Sequence, residues 1–183
     1  MSELSDAKLV ELAQNGDLEA VGELYDRHWL RIFKYVRAKV HNVHLAQDLT
    51  GEVFLRMVEN LPKYRTMEGV LFSTWLHQIA LNLIRSHYQK DNAYQLIPME
   101  YAENRNNHHD NPAFITEDKF ERTHLLQSLE KIDETQREVI ILRFFAGFSL
   151  KEAAAALDKT IGAVKTLQRR GILALVISLK TAP

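Results

Sequence analysis

Lys165, Thr166, Arg169 and Arg170 lie within six consecutive positions, and from Lys159 to Pro183 the chain carries five bases (Lys159, Lys165, Arg169, Arg170 and Lys180) and no acid. Side chains of these types at this spacing meet phosphates and base edges rather than make or break bonds. Gly162 and Ala163 beside them are small enough to let a helix approach a groove closely. Thr160 stands just before them as an N-cap, after the break Asp158-Lys159-Thr160. Upstream of the break, Leu150, Ala153, Ala154 and Leu157 form one apolar stripe, and beyond it Val164, Leu167 and Gly171 form another. Two short helices with that connection have the spacing of a helix-turn-helix. If Val164 and Leu167 face inward, then Gly162, Ala163, Lys165, Thr166, Arg169 and Arg170 turn outward or onto the flanks, which points to duplex DNA. An ordinary alanine-rich bundle whose basic helix merely matches its own dipole would look similar, so the N-terminal half has to decide.

A second group of residues suits single-stranded DNA. The stretch "PKYRTMEGVLF", Pro62 to Phe72, is basic and aromatic, and it leads into a helix whose polar face offers His77, Gln78, Asn82, Arg85, Ser86, Gln89 and Lys90. Aromatic rings stack on bases while Lys63, Arg65 and their like track the backbone. Trp75, at helical spacing with Ile79 and Leu83, reads as core more readily than as a stacking platform. A third group is acidic: Asp48, Glu52 and Glu59 fall near one face of a helix, and Leu45, Leu49, Val53 and Met57 fall on another. Taken alone, that face is an ordinary solvated surface.

The elements that must position these groups are all helical. The chain has 183 residues, 46% of them hydrophobic, with seven glycines and four prolines, and apolar residues recur at steps of three and four almost throughout. Ser5 caps a first helix that stops near Gly16, and a long second helix runs from about Asp17 to Val40. The third spans about His44 to Leu61 and ends at Pro62, and the fourth runs from a cap at Ser73 to about Gln89. Periodicity then fails: "ENRNNHHDNP", Glu103 to Pro112, has no apolar residue, so residues 91–116 read as a flexible linker. Four more helices follow, at about 117–132, 134–146, 150–157 and 161–179. The expectation is an all-α chain of two small domains, residues 1–90 and 117–183, on a tether.

The charge is placed unevenly, although the net is only −1. Residues 1–60 hold ten acids against seven Lys/Arg, whereas residues 61–90 hold four bases and one acid, Glu68. Basic zones beside an acidic one call for a polyanion and a second partner. The absence of cysteine excludes a disulfide scaffold and a thiolate zinc site and fits a reducing cytoplasm. No apolar run approaches the roughly 20 residues that span a bilayer, and the N-terminus lacks the layout of a secretion signal, so the expected setting is cytoplasmic. His108, His109 and Asp110 form no usual metal pattern, and neither a phosphate-cradling glycine loop nor a nucleophile constellation is present, so neither a cofactor nor catalysis is expected.

The segments "AQDLTGEVFLRMVENL" and "FSTWLHQIALNLIRSHYQK" resemble region two of bacterial sigma factors of the extracytoplasmic-function group in the sigma-seventy superfamily. The segment from Ile132 to Leu175 resembles region four of the same group. The resemblance covers about Leu18–Lys90 and Glu117–Leu179, in the family's order. It implies a dissociable subunit that directs RNA polymerase core to promoters. Region two would melt and read the minus-ten element, with Lys63, Arg65, Phe72 and the polar face from His77 to Lys90 as the contacts. Region four would read the minus-thirty-five element from Thr160 to Arg170. Asp48 and Glu52 would dock on the clamp helices of the polymerase's largest subunit, and region four would meet the flap of the second-largest. The sequence shows only the surfaces that an anti-sigma factor holding the domains shut would cover.

The chain departs from the family pattern at Leu81, Ser86 and Gln89, where many members carry Arg, Asp and Arg, and at Gly51, where Gln is commoner. Gly51 is expected to weaken its helix by about 1 kcal/mol relative to alanine. A plain helix-turn-helix regulator would use the C-terminal half alike but would need neither the acidic helix nor the basic loop.

Overall fold

The structure, a computed structural model, describes residues 4–40, 42–65, 71–94 and 118–181, and these contain helices and turns without a strand. Most of the expected linker therefore lies outside the described residues. Helix α1 (Asp6–Gln14) starts where the Ser5 hydroxyl accepts the Lys8 amide, and it gives way at Gly16, whose φ of +92° is a left-handed value that favours glycine. Asp17 then caps α2 (Leu18–Lys39) by accepting the amides of Glu19 and Ala20. Asn42 does the same for α3 (Val43–Asn60), which runs into a short 3-10 turn, Leu61–Lys63, around Pro62. Helix α4 covers Phe72–Tyr94.

Ser73 is not the cap expected of it. It lies inside the first turn of α4, and its hydroxyl donates to Glu152, 79 residues away. The helix also continues four residues past the expected boundary at Lys90.

The C-terminal half contains α5 (Asp118–Glu130), α6 (Glu134–Ile140), a π-helical turn (Ile141–Phe145), α7 (Leu150–Ala156) and α8 (Ile161–Thr181). Val139, Ile140, Ile141 and Leu142 are all buried in succession. A helix that buries every side is covered on every side. Here Ile140 joins Leu126, Leu129 and Ile132 in a small core with α5 and α8. Val139, Ile141 and Leu142 instead enter a larger core with Leu24, Tyr35, Val53, Leu76 and Ala80 of the N-terminal half. The two helical regions expected from the sequence thus pack on each other through this seam.

Close approach of α8 to α6 depends on Gly171. A methyl group there would lie 3.0 Å from Ile140 Cγ1 and 3.3 Å from the Gln136 carbonyl oxygen, whereas one at Gly51 would meet nothing within 4 Å. Alanine is a better helix former than glycine by about 1 kcal/mol, so the two positions test opposite signs. Gly51→Ala is expected to raise the stability of the chain by about 0.5–1 kcal/mol. Gly171→Ala is expected to lower it by about 1–3 kcal/mol, because overpacking outweighs propensity. Urea unfolding followed by circular dichroism measures both, and a stabilised Gly171→Ala would show that the α6–α8 crossing can relax.

Candidate nucleic-acid interface

The two helices of the C-terminal unit are set by local chemistry. Ser149 and Glu152 form a capping box at the start of α7: the Ser149 hydroxyl accepts the Glu152 amide, and the Glu152 carboxylate accepts the Ser149 amide at 2.8 Å. The turn passes through Asp158 at φ 52°, a left-handed value that Asp tolerates better than most side chains. Thr160 Oγ1 then accepts the Ala163 amide at 3.1 Å, as the sequence predicts, and fixes the start of α8. Val164 is fully buried, Leu167 packs against the core and Gly171 is buried, which sets the rotation of the helix. Gly162, Lys165, Thr166, Arg169 and Arg170 are exposed and Ala163 is half-buried. Thr166 spends its hydroxyl on the Gly162 carbonyl at 3.1 Å, so its methyl group is what it turns outward. From behind, Arg143 Nε donates to Gln168 Oε1 at 3.0 Å, and its guanidinium also holds the Phe148 carbonyl, joining α8 to the loop before α7.

In the N-terminal half, Arg56, Asn60, Lys63, Tyr64, Trp75, Ile79 and Asn82 line a concavity of about 340 Å³ between the end of α3 and the first turns of α4. Its aromatic wall is Tyr64 and Trp75, with ring centres 4.5 Å apart. Gln14 holds that wall in place by donating to the carbonyls of Leu61 and Tyr64 at 2.8 and 2.7 Å. Trp75 is therefore both half-buried against the core and part of an open surface. Arg56, Asn60 and Tyr64 were not singled out from the sequence. The i, i+4 spacing of Arg56 and Asn60, one turn ahead of the basic loop, was the available signal.

Lys63, Arg65, Gln78, Asn82, Arg85, Ser86, Gln89 and Lys90 are exposed, while residues 66–70 of the loop lie outside the described residues. Two expected contacts point inward instead. Phe72 packs edge-on against Tyr64 and His28 in the core. His77 is only 1% exposed, packed between Tyr35 and Phe148, and neither of its ring nitrogens makes a hydrogen bond among the described residues. In this arrangement neither side chain can meet a nucleic acid.

The acidic face of α3 is present as expected, with Asp48 and Glu59 exposed and Glu52 half-buried. Glu52 accepts from Arg56 Nε at 2.9 Å. Between these acids stand Leu55 and Val58, 55% and 48% exposed, so the surface is apolar as well as acidic. The stripe Leu45, Leu49, Val53 and Met57 lies on the opposite side, packed on the core.

Where the halves meet, two carboxylates of the C-terminal half are received by the N-terminal half. Glu138 accepts from the Tyr35 hydroxyl at 2.7 Å and pairs with the Lys39 ammonium, and His77 Nε2 stands 3.7 Å away, beyond hydrogen-bond length. Burial pushes its pKa up, but His77, Lys39 and Tyr35 together draw it down from 4.5 to about 2. Glu152 takes Arg31 and Ser73, each at 2.8 Å. Burial raises its pKa as well, and the Ser149 amide, Arg31 and Ser73 overcome that and lower it. The Arg31 guanidinium also lies 4.6 Å above the Phe148 ring.

Among the described residues no cluster of three or more His, Cys, Asp or Glu is placed to hold a metal ion, and no helix is long and apolar enough to cross a membrane. His108, His109 and Asp110 lie outside the described residues.

Comparison with known proteins agrees with the geometry. Residues 24–94 match the model of sigma-70 region 2, and residues 128–175 match that of sigma-70 region 4. The chain is 32% identical over 168 residues to the ECF RNA polymerase sigma factor BldN of Streptomyces coelicolor, covering 92% of this chain and 63% of that one. It is 30% identical over 171 residues to the ECF RNA polymerase sigma factor SigD of Mycobacterium tuberculosis, covering 91% and 80%. Among solved structures, CnrH in complex with the cytosolic domain of CnrY superposes with a TM-score of 0.72 at 24% identity, covering 97% of this chain and 99% of CnrH. The sigma factor RpoE in complex with the anti-sigma factor NepR from Bartonella quintana gives 0.62 at 20%, covering 88% and 98%. The chain belongs to the ECF RNA polymerase sigma factors, sigma-70-type proteins that direct promoter-specific transcription initiation.

Proposed function

We propose that this sigma factor docks on core RNA polymerase through the acidic and apolar face of α3, opens the minus-ten element at the Tyr64–Trp75 concavity, and reads the minus-thirty-five element with α8. One observation carries the proposal: α8, capped by Thr160, presents Lys165, Thr166, Arg169 and Arg170 exposed along a helix that contains no acid. A concavity of about 340 Å³ is within the range of small-ligand pockets, and it has an aromatic wall with Asn82 and Lys63 at its rim. Such a site suits a base taken out of the stack. Leu55 and Val58 give the docking face the desolvated centre that charge alone does not provide. The cytoplasm, where polymerase works, is the corresponding compartment. Since CnrH and RpoE were solved with CnrY and the anti-sigma factor NepR, a protein inhibitor is proposed here as well.

Charge reversal by Asp48→Lys with Glu52→Lys is expected to weaken binding to core polymerase about tenfold without loss of helicity. Unchanged affinity in a competition assay would remove the docking face. At the concavity, Tyr64→Ala and Asn82→Ala are expected to reduce permanganate reactivity of the melted promoter several-fold while initial promoter binding persists, as stacking is worth about 1–3 kcal/mol per base. Equal loss in both steps would make the concavity structural only.

For α8, the distance from the helix start separates the roles. Lys165→Ala or Thr166→Ala is expected to cost about 1–3 kcal/mol and to relax preference at one position. Arg169→Ala or Arg170→Ala is expected to weaken all sequences alike and to lower the salt slope by about one. Binding titrations to promoter variants at several salt concentrations distinguish the two. If alanine at all four leaves minus-thirty-five binding unchanged, α8 is not the reader.

A further inference from the structure

Helix α1 precedes the stretch that matches sigma-70 region 2, which begins at residue 24. It nevertheless reaches the edge of the concavity between α3 and α4. The chain leaves the 3-10 turn Leu61–Lys63 at Tyr64, where φ −64° and ψ 130° take the backbone out of helical geometry. The Tyr64 carbonyl thereby has no helical donor, as at the end of any helix. Gln14, the last residue of α1, supplies one: its Nε2 donates to the Tyr64 carbonyl at 2.7 Å and to the Leu61 carbonyl at 2.8 Å. A side-chain amide nitrogen has two hydrogens, one for each carbonyl. The turn is thus held at its first residue and at the residue that leaves it.

The other end of α1 backs the same aromatic group. Asp6 meets His28 Nε2 at 2.8 Å, the His28 ring stands edge-on to Phe72 with centres 5.4 Å apart, and Phe72 stands edge-on to Tyr64 at 5.6 Å. These contacts close a circuit from Gln14 through Tyr64, Phe72 and His28 to Asp6, and back along α1. Leu9 and Val10, buried midway along the helix, anchor it in the core. Gln14 itself does not line the concavity, so whatever it does there it does through Tyr64.

We infer that Gln14 is a positioning residue for promoter melting: its amide fixes the backbone at Tyr64 and so holds that ring, beside Trp75, where an unstacked base is received. The inference rests on the melting role proposed for the concavity. A stacking surface already in place needs less ordering when the base arrives. The bond to the Tyr64 carbonyl also fixes ψ at that residue, and with it the direction in which Arg65 departs.

The test uses the full-length protein with core polymerase on a promoter that the wild type melts. Gln14→Met, Gln14→Glu, Tyr64→Ala and the double variant Gln14→Met with Tyr64→Ala are compared with the wild type. Gln14→Met keeps the helix propensity of the side chain and removes both donors. Gln14→Glu sets a carboxylate against two carbonyl oxygens. Because Gln14 is exposed, helicity, core affinity and initial promoter binding are expected to stay at wild-type values. Permanganate reactivity of the melted promoter is expected to fall about threefold or more in Gln14→Met and at least as far in Gln14→Glu. In the double variant the loss is expected to equal that of Tyr64→Ala alone, because nothing is left to position; a contact serving only the fold would multiply the two losses. Wild-type opening by both Gln14 variants, a multiplied loss in the double variant, or a loss that follows helicity or core affinity would overturn the positioning role. Wild-type opening by Tyr64→Ala would instead overturn the melting role of the concavity.

Discussion

A carboxylate placed in an interior must be compensated there, and Glu138 sets that demand for the whole molecule. Its compensation is not local. Tyr35 and Lys39 come from α2, and His77 comes from α4, so the C-terminal half satisfies its own buried charge only by lying against the N-terminal half. Removing one partner from such a pair costs about 3–5 kcal/mol, whereas opening the whole seam lets water hydrate every member at once. The seam is therefore fragile to mutation at its charges, while Val139, Ile141 and Leu142 hold it together as apolar core. Because the folded-state pKa is depressed to about 2, the contribution of Glu138 is complete above 4.5 and fades only as the pH falls toward 2. Neutral pH leaves the seam at full strength.

The cores follow from the same constraint. Four consecutive buried residues, Val139 to Leu142, need partners on all sides, and a π-helical turn rather than a regular helix carries the chain on from Ile140. One side is filled by α5 and α8 and the other by α2 and α4. Helix α8 is thus rotated by contacts on its inner side, Val164 and Gly171, while Lys165, Thr166, Arg169 and Arg170 on its outer side stay exposed.

Local physics made much of this legible in the sequence. Ser5 and Thr160 cap the helices they were expected to cap, because a cap is decided within three residues. The rotation of α8 was legible from Val164 and Leu167, and the two faces of α3 from the spacing of Asp48 and Val53. What escaped depends on distant partners. Ser73 looked like a cap and is a bond to Glu152, while Phe72 and His77 looked like part of a reading surface and pack against His28 and Phe148, far away in sequence. Nothing near His77 announces Phe148. One clue was present: a run as uniformly apolar as Val139 to Leu142 does not belong on a surface helix of a small, independent domain.

Separating the packed side of α8 from its exposed side has an evolutionary consequence. Substitutions at Lys165 or Thr166 alter no buried volume, so under the proposed reading role of α8 a duplicated copy of this gene can shift toward new promoters in single steps that leave folding intact. Gly171 has no such freedom, since any side chain there meets Ile140 and Gln136. Diversification in descendants of this chain should accordingly accumulate on one side of a single helix, with the opposite side held constant by packing alone.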